Sequence, residues 1–276
     1  MSIRLIALDL DQTTLRRDKS LSAANRAAIG EAIAAGVEVA VASGRALASL
    51  PESVTRIPGL RYAITSNGAA VCDLRTGERI QAFLLEEEAA EQVLSLVPEE
   101  LPLEAFVEGV PYADAAYVAE PTAFGPPVEA VPYIQASRTP VEDMRAFIRE
   151  HIASLDALDV ITRDQDHCDR LRSLLAESVP GLYLTSSAPN LLEISDRRAG
   201  KHAGAAWLAE QLGIAREETA AFGDAENDRE MILWAGLGIA VANAAEGVRA
   251  AADLVTDSNE EDGVARGIRE ILLRNG

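Results

Sequence analysis

The sequence predicts an α/β fold: a doubly wound, mostly parallel core sheet interrupted by an inserted α+β segment. Three observations predict it. Short apolar runs that stop abruptly at polar residues recur towards both ends of the chain: RLIALDLD at 4–11, VEVAVASGR at 37–45, YAITSNGA at 62–69 and TAAFGDAEND at 219–228. Helical patterns separate these runs, and alternating strands and helices imply parallel strands joined by right-handed crossovers. Between about 84 and 188 the texture changes to a mixed segment, proline-rich from 98 to 140, whose strand ends lack such polar clusters. The expected organisation is a core domain over 1–83, an inserted domain over 84–188 and the rest of the core over 189–276.

Taken in order, LIAL before Asp9 reads as a buried parallel strand, because both of its faces are apolar. SAANRAAIGEAIAA at 22–35 reads as a helix, with Ser22 as N-cap and Gly36 as the C-terminal stop. The run at 37–45 is a second strand, followed by a helix from about 46 to 57. The run at 62–69 is a third strand, and Asn67-Gly68 followed by AVCDL and TGERI predicts a turn and a hairpin near 70–82. In the insert, helices are expected over EEEAAEQVLSLV, over PVEDMRAFIREHI from Pro140, and over DHCDRLRSLLAES. Strands are expected over ALDVITR and GLYLTSS. NLLEISD then reads as a core strand and GKHAGAAWLAEQLG as an amphipathic helix with Lys201 in its first turn. TAAFGDAEND, GIAVAN, DLVT and EEDGVARGIREILL complete the alternation.

Composition narrows the function. The chain has 276 residues, 48% hydrophobic and 25% charged, enough for a packed core in one large or two modest domains. Its formal net charge of −19 disfavours nucleic acid and anionic membranes as partners. Cys72 and Cys168 have no metal-ligand spacing and read as reduced structural thiols. No stretch approaches the roughly 20 apolar residues of a membrane span, and Asp9 interrupts the place of a signal peptide's apolar core. The expectation is a cytoplasmic protein whose partner is a small molecule; its oligomeric state is left open. His151, His167 and His202 lack ligand spacing and read as structural or surface residues, and Trp207 and Trp234 read as core.

The polar strand ends carry the chemistry. Open parallel sheets bind ligands at the carboxyl ends of their strands, so Asp9 and Asp11, Ser43 and Arg45, Asn67 and Gly68, and Asp224, Asn227 and Asp228 should gather on one edge. If strand geometry persisted to Asp11, the Asp9 and Asp11 carboxylates would share one side. With Asp224 they would make a hard-oxygen site of the kind Mg2+ uses. Ser43 and backbone N–H groups can hold phosphate oxygens, and Lys201 adds a positive charge. That set suits phosphoryl transfer, in which positioning and charge neutralisation do most of the catalysis.

The motifs together resemble the haloacid dehalogenase (HAD) superfamily of phosphatases, and within it the Cof-like, type IIB group. The family's Asp-x-Asp-Gly-Thr-Leu is matched by Asp9-Leu10-Asp11-Gln12-Thr13-Thr14, and its Thr/Ser-Gly-Arg by Ser43-Gly44-Arg45. Ser66 to Ala69, Lys201 and Gly223-Asp224-Ala225-Glu226-Asn227-Asp228 match in order. VANA at 241–244 and SNEEDGVA at 258–265 resemble the family's tail. The resemblance implies a Rossmann-like core with a C2-type cap, and an aspartyl-phosphate formed on Asp9. It makes Asp11 the acid and then the base, and it places Mg2+ on Asp9, the backbone carbonyl of Asp11 and Asp224, with Asp228 in support. Ser43, Gly44 and Lys201 would hold the phosphoryl group and Asn227 nearby phosphate or substrate, with Arg45 and Asn67 on a substrate-facing rim. Leaving-group choice would rest in the cap, around 112–124. The expected function is a Mg2+-dependent phosphomonoester hydrolase acting on a small organic phosphate, of sugar or polyol type. A phosphomutase using the same intermediate and a non-catalytic ligand-binding protein on the same fold are the alternatives. The sequence departs from the family at Gln12 for Gly, Thr14 for Leu and His202 for Gly.

Overall fold

The computed structural model describes residues 2–276. The chain divides into two compact units, one of Met1–Arg45, Leu50–Gln81 and Gly200–Gly276, the other of Ala46–Ser49 and Ala82–Ala199.

In chain order, the strands are β1 (Leu5–Leu8), β2 (Glu38–Ala42), β3 (Tyr62–Thr65), β4 (Ala70–Asp73) and β5 (Glu78–Ala82). They continue with β6 (Leu103–Val107), β7 (Val110–Asp114), β8 (Thr139–Val141), β9 (Leu155–Ile161), β10 (Leu182–Thr185) and β11 (Leu191–Asp196). The last three are β12 (Thr219–Gly223), β13 (Leu237–Ala240) and β14 (Leu254–Val255).

The first unit is built on one sheet of order β14-β13-β12-β1-β2-β3-β4-β5. Neighbours from β14 through β3 are parallel, and β3 pairs with β4 antiparallel. All four residues of β1 are buried, as a central strand covered on both faces requires. One face packs Leu5, Ala7, Ala40, Ile64 and Ala221 under Trp207 and Trp234, which come from the helices Lys201–Gln211 and Glu226–Trp234. The helices Ala23–Ala34 and Gly263–Asn275 contact each other, and Gly267 lies so close to the Phe222 ring that a Cβ there would come within 2.5 Å of it. Ser22 caps the first of these two helices by accepting the Asn25 N–H, as its position in the sequence predicts. The doubly wound α/β core is therefore the expected one.

The second unit has a six-stranded sheet, β10-β11-β9-β6-β7-β8. The helices Glu87–Leu96, Met144–Glu150 and Gln165–Ser178 contribute Ala90, Val93, Met144, Ile148, Leu171 and Leu175 to a core shared with Leu103, Leu158, Val160, Leu192 and Ile194 of the strands. Three expectations change here. NLLEISD does not return to the first sheet: β11 pairs antiparallel with β9 and β10, so this unit runs to 199 rather than 188. An apolar strand carries no mark of which sheet it will join. Pro140 does not open a helix either. It lies in the edge strand β8, where its missing N–H costs no ladder bond, and Asp143 caps the helix by accepting the Ala146 N–H. Ala46–Ser49, expected in a helix of the first unit, belongs with the second, where Ala48 N donates to Gly109 O. Among the described residues no helix is long and apolar enough to cross a membrane.

Candidate active site

Strand order in the first sheet runs one way from β1 through β2 and β3 and the other way through β12 and β13. The switch therefore falls between β1 and β12, and the carboxyl ends of those two strands are where an open sheet places a ligand. Asp9 follows β1 directly and Asp224 follows β12. Asp228 sits in the first turn of the helix Glu226–Trp234. Carboxylate oxygens of Asp9, Asp224 and Asp228 all lie within 4.8 Å of one another.

Each acid is held by local design. Asp9 N donates to Phe222 O, extending the β1–β12 pairing by one residue. Asp228 Oδ2 accepts the backbone N–H groups of Asp224 and Ala225 at 3.0 and 3.1 Å, closing the turn after β12. Gly223 permits this approach, because a Cβ there would come within 2.3 Å of the Asp228 side chain. Thr13 Oγ1 donates to Asp224 Oδ1 at 2.7 Å, and Thr14 Oγ1 donates to Asp9 O at 2.5 Å. Neither threonine carries a role in the motif reading, and Thr14 stands where the family has leucine.

Lys201 completes the cluster. It opens its helix, and its Nζ donates to Oδ1 of Asp9 and of Asp228, each at 2.7 Å. The side chain is 1% exposed. Burial opposes its charge, yet Asp228 and Asp9 outweigh burial and hold the ammonium well above the ordinary lysine range. Three carboxylates still face one ammonium. Burial first, then the Asp228 and Asp224 charges, push the Asp9 carboxyl well up, although Lys201 opposes them. Burial and Asp228 push Asp224 up to about 7. Burial and mutual repulsion make it costly to ionise these acids together, and a cation placed among them would relieve that cost. A buried, all-oxygen carboxylate set of this kind fits a hard divalent ion.

The Asp11 carboxylate is not in the cluster. Strand geometry stops at Leu8, and residues Leu10–Thr14 form a tight turn in which Asp11 (φ −72, ψ 123) and Gln12 (φ 60, ψ 6) depart from helical angles. The two-residue alternation that would align Asp9 with Asp11 is lost. The Asp11 carboxylate instead accepts Nε and Nη2 of Arg45, both at 2.7 Å, and Nζ of Lys19 at 2.8 Å. Burial alone would raise its carboxyl, but Arg45 and Lys19 outweigh burial and hold it well below the usual range. The carboxylates that gather are thus Asp9, Asp224 and Asp228, not Asp9, Asp11 and Asp224.

The remaining motif residues form a second tier around β2 and β3. Ser43 N donates to Ile64 O, Asn67 N donates to Ser43 O, and Ser43 Oγ accepts the Arg45 N–H at 3.2 Å across the bend at Gly44. Ser66, Asn67 and Gly68 are all left-handed, with φ of 48, 50 and 87. Gly68 is required there, since a Cβ would meet the Gly200 carbonyl oxygen at 2.0 Å, and Gly200 N donates to Asn67 O. This contact seats the start of the Lys201 helix. Asn227 Nδ2 donates to Asn67 Oδ1 at 3.0 Å. Arg45 and Asn67 are buried and engaged by Asp11 and Asn227, so neither forms an exposed rim. Ser66 Oγ, from the matched Ser66 to Ala69 segment, is buried without a hydrogen-bond partner among the described residues.

A sequence model of the haloacid dehalogenase-like hydrolases matches residues 6–268, from β1 into the last helix. The chain belongs to that family. The hydrolase is 30% identical over 289 residues to phosphatase YwpJ of Bacillus subtilis, covering 98% of this chain and all of the relative. It is 29% identical over 276 residues to the B. subtilis 5-amino-6-(5-phospho-D-ribitylamino)uracil phosphatase YcsE, covering 99% of this chain and 97% of that one. A solved B. subtilis haloacid dehalogenase-like hydrolase superposes with a TM-score of 0.82 at 28% identity, over 97% and 99% of the two chains. The HAD subclass IIB sugar phosphatase BT4131 shares the fold at a TM-score of 0.79 and 19% identity, over 98% and 99%. The expected superfamily, haloacid dehalogenase, and the expected enzyme class, a phosphatase, both hold for this hydrolase.

Proposed function

We propose that the protein is a Mg2+-dependent phosphomonoester hydrolase that acts on a small organic phosphate of sugar or polyol type through an aspartyl-phosphate on Asp9. The observation that carries this reading is the meeting of Asp9, Asp224, Asp228 and Lys201 at the switch point of the sheet. The substrate class is supported by relatives such as YcsE, whose name specifies a phosphorylated ribityl group.

A carboxylate oxygen of Asp9 attacks phosphorus, and the bond from phosphorus to the leaving oxygen breaks. Asp11 gives that oxygen its proton. It then removes a proton from the water that attacks the acyl phosphate, which releases phosphate and restores Asp9. Arg45 and Lys19 hold Asp11 ionised in the resting protein, so the proton for the leaving oxygen is one that Asp11 takes up from the monoanionic phosphate of the bound substrate, and the ionised form is the one that the second step needs. Lys201, Ser43 and the backbone N–H groups beside them offset the phosphoryl charge. Asp9, Asp224 and the Asp11 carbonyl would hold Mg2+, with Asp228 behind them. When bound, the ion supplies positive charge against the phosphoryl oxygens and relieves the carboxylate repulsion. No nucleic acid or membrane partner enters this reading.

The test is phosphate release from p-nitrophenyl phosphate. Turnover should require Mg2+, stop with EDTA and fall at least ~10³-fold in Asp9→Asn. Undiminished turnover in Asp9→Asn would show that another group attacks phosphorus.

A further inference from the structure

The two tail motifs, VANA at 241–244 and SNEEDGVA at 258–265, have no part in the chemistry above, and the family's glycine is missing at position 12. One set of contacts joins these facts. The turn that leaves the nucleophile, Leu10–Thr14, and the Leu15 that follows it present three backbone carbonyls in close succession, and each accepts an asparagine amide from elsewhere in the first unit. Gln12 O accepts Asn243 Nδ2 at 2.8 Å, Thr14 O accepts Asn25 Nδ2 at 2.9 Å and Leu15 O accepts Asn259 Nδ2 at 3.0 Å.

The asparagines are themselves fixed. Asn243 Oδ1 accepts the Asn259 N–H and Asn25 Oδ1 accepts the Ala265 N–H, each at 2.9 Å. Beyond the turn, Arg17 N donates to Glu260 Oε1 at 2.8 Å and Arg16 pairs with Asp262. An amide is the group suited to this work. Its N–H2 grips a carbonyl while its oxygen takes an N–H, so one side chain ties two backbone segments together.

Gln12 gives the arrangement its purpose. At φ 60 it occupies the left-handed region, where a side chain other than glycine is strained. A strained conformation persists only where its surroundings over-determine it. We propose that Asn243, supported by Asn259 and Asn25, is a positioning residue that holds Gln12 in the left-handed turn and so fixes Asp9 and Asp11, which lead into it. This rests on the reading of Asp9 and Asp11 as the reacting carboxylates. Asn243 does not touch the reacting atoms. Its effect passes through the backbone of the turn.

A double-mutant cycle tests it. Asn243 is exposed, so replacing it removes no core packing. Asn243→Asp keeps the oxygen that accepts Asn259 N–H and loses only the donor to Gln12 O, and Asn243→Ala controls for the added charge. With p-nitrophenyl phosphate and Mg2+, both variants should lower kcat about 10-fold or more, as a small misplacement of reacting groups does, with KM and Tm little changed. In a Gln12→Gly background, where the turn needs no holding, the same substitutions should cost no more than about twofold, because coupled sites lose their effect together. Hydrogen exchange of the peptide spanning 10–21 reads the hold without reference to activity. It should quicken in the Asn243 variants and much less so in Gln12→Gly. Exchange and kcat unchanged in both Asn243 variants, or lowered equally in both backgrounds, would overturn the proposal. If the unmodified protein released no phosphate, the function reading would fall while the exchange experiment still decided the clamp.

Discussion

Lys201 shows at the scale of one residue what the site is made of. A lysine at the start of a helix is ordinarily a solvated side chain, but here two carboxylates enclose it and its ammonium has nowhere else to go. Removing one partner from a buried ion cluster leaves the others uncompensated, at a cost of about 3–5 kcal/mol. Lys201→Met should therefore lose about that much stability at pH 7 by urea unfolding. The sign of its pH dependence follows from Asp9, whose carboxyl is already pushed up in the folded state. Without Lys201 it is pushed further, so the loss should be greatest at neutral pH and shrink as the pH falls and Asp9 binds a proton. A loss that grew towards acid pH would contradict the assignment. At this scale the sequence was legible where a motif names a residue, as with Asp9, Asp224, Asp228 and Lys201. It was not legible where a contact depends on a turn. The Arg45 and Lys19 grip on Asp11 exists because the chain leaves strand geometry at Asp9, and no spacing rule reports that.

At the scale of elements, strand runs, caps and crossovers were legible because each is a local pattern. Sheet membership was not. β11 opens on an apolar pair and runs to an acid much as β1 does, and only its pairing with β9 and β10 assigns it to the second unit. That pairing also creates a feature invisible in the sequence. Glu104, Asp159 and Glu193 lie on three different strands and become cross-strand neighbours by register. Arg138 pairs with Glu104, and Ser187 donates to Glu193. Asp159 is only 5% exposed. Burial, with Glu193 and Glu104 beside it, pushes that carboxyl well up. The unfolded chain releases this proton first, so its contribution to stability falls as pH rises from about 4 through the folded-state value. Asp159→Asn should flatten that part of the profile. The variant should gain on the unmodified protein between pH 5 and pH 8 in urea unfolding, and an unchanged difference between the two pH values would count against a buried, protonated Asp159.

At the scale of the whole molecule, the chain brings its ends together. Lys201 meets Asp9 across 192 positions and Thr13 meets Asp224 across 211. The doubly wound order does this by placing β12 beside β1. Recurrent polar strand ends made that legible in the sequence, since they mark one edge of one sheet. The asparagine clamp was not legible, because Asn25, Asn243 and Asn259 belong to no shared pattern until the fold assembles them. In the function proposed, this assembly turns Asp9 into a nucleophile towards phosphorus. Rapid acid quench during turnover with Mg2+, followed by borohydride reduction and peptide mass spectrometry, would reveal the intermediate. An acyl phosphate on Asp9 is reduced to homoserine, so homoserine should appear at position 9 only with substrate present and never in Asp9→Asn. Turnover that continues with Asp9 unmodified at every quench time, or a trapped phosphoryl group on another residue, would contradict the account.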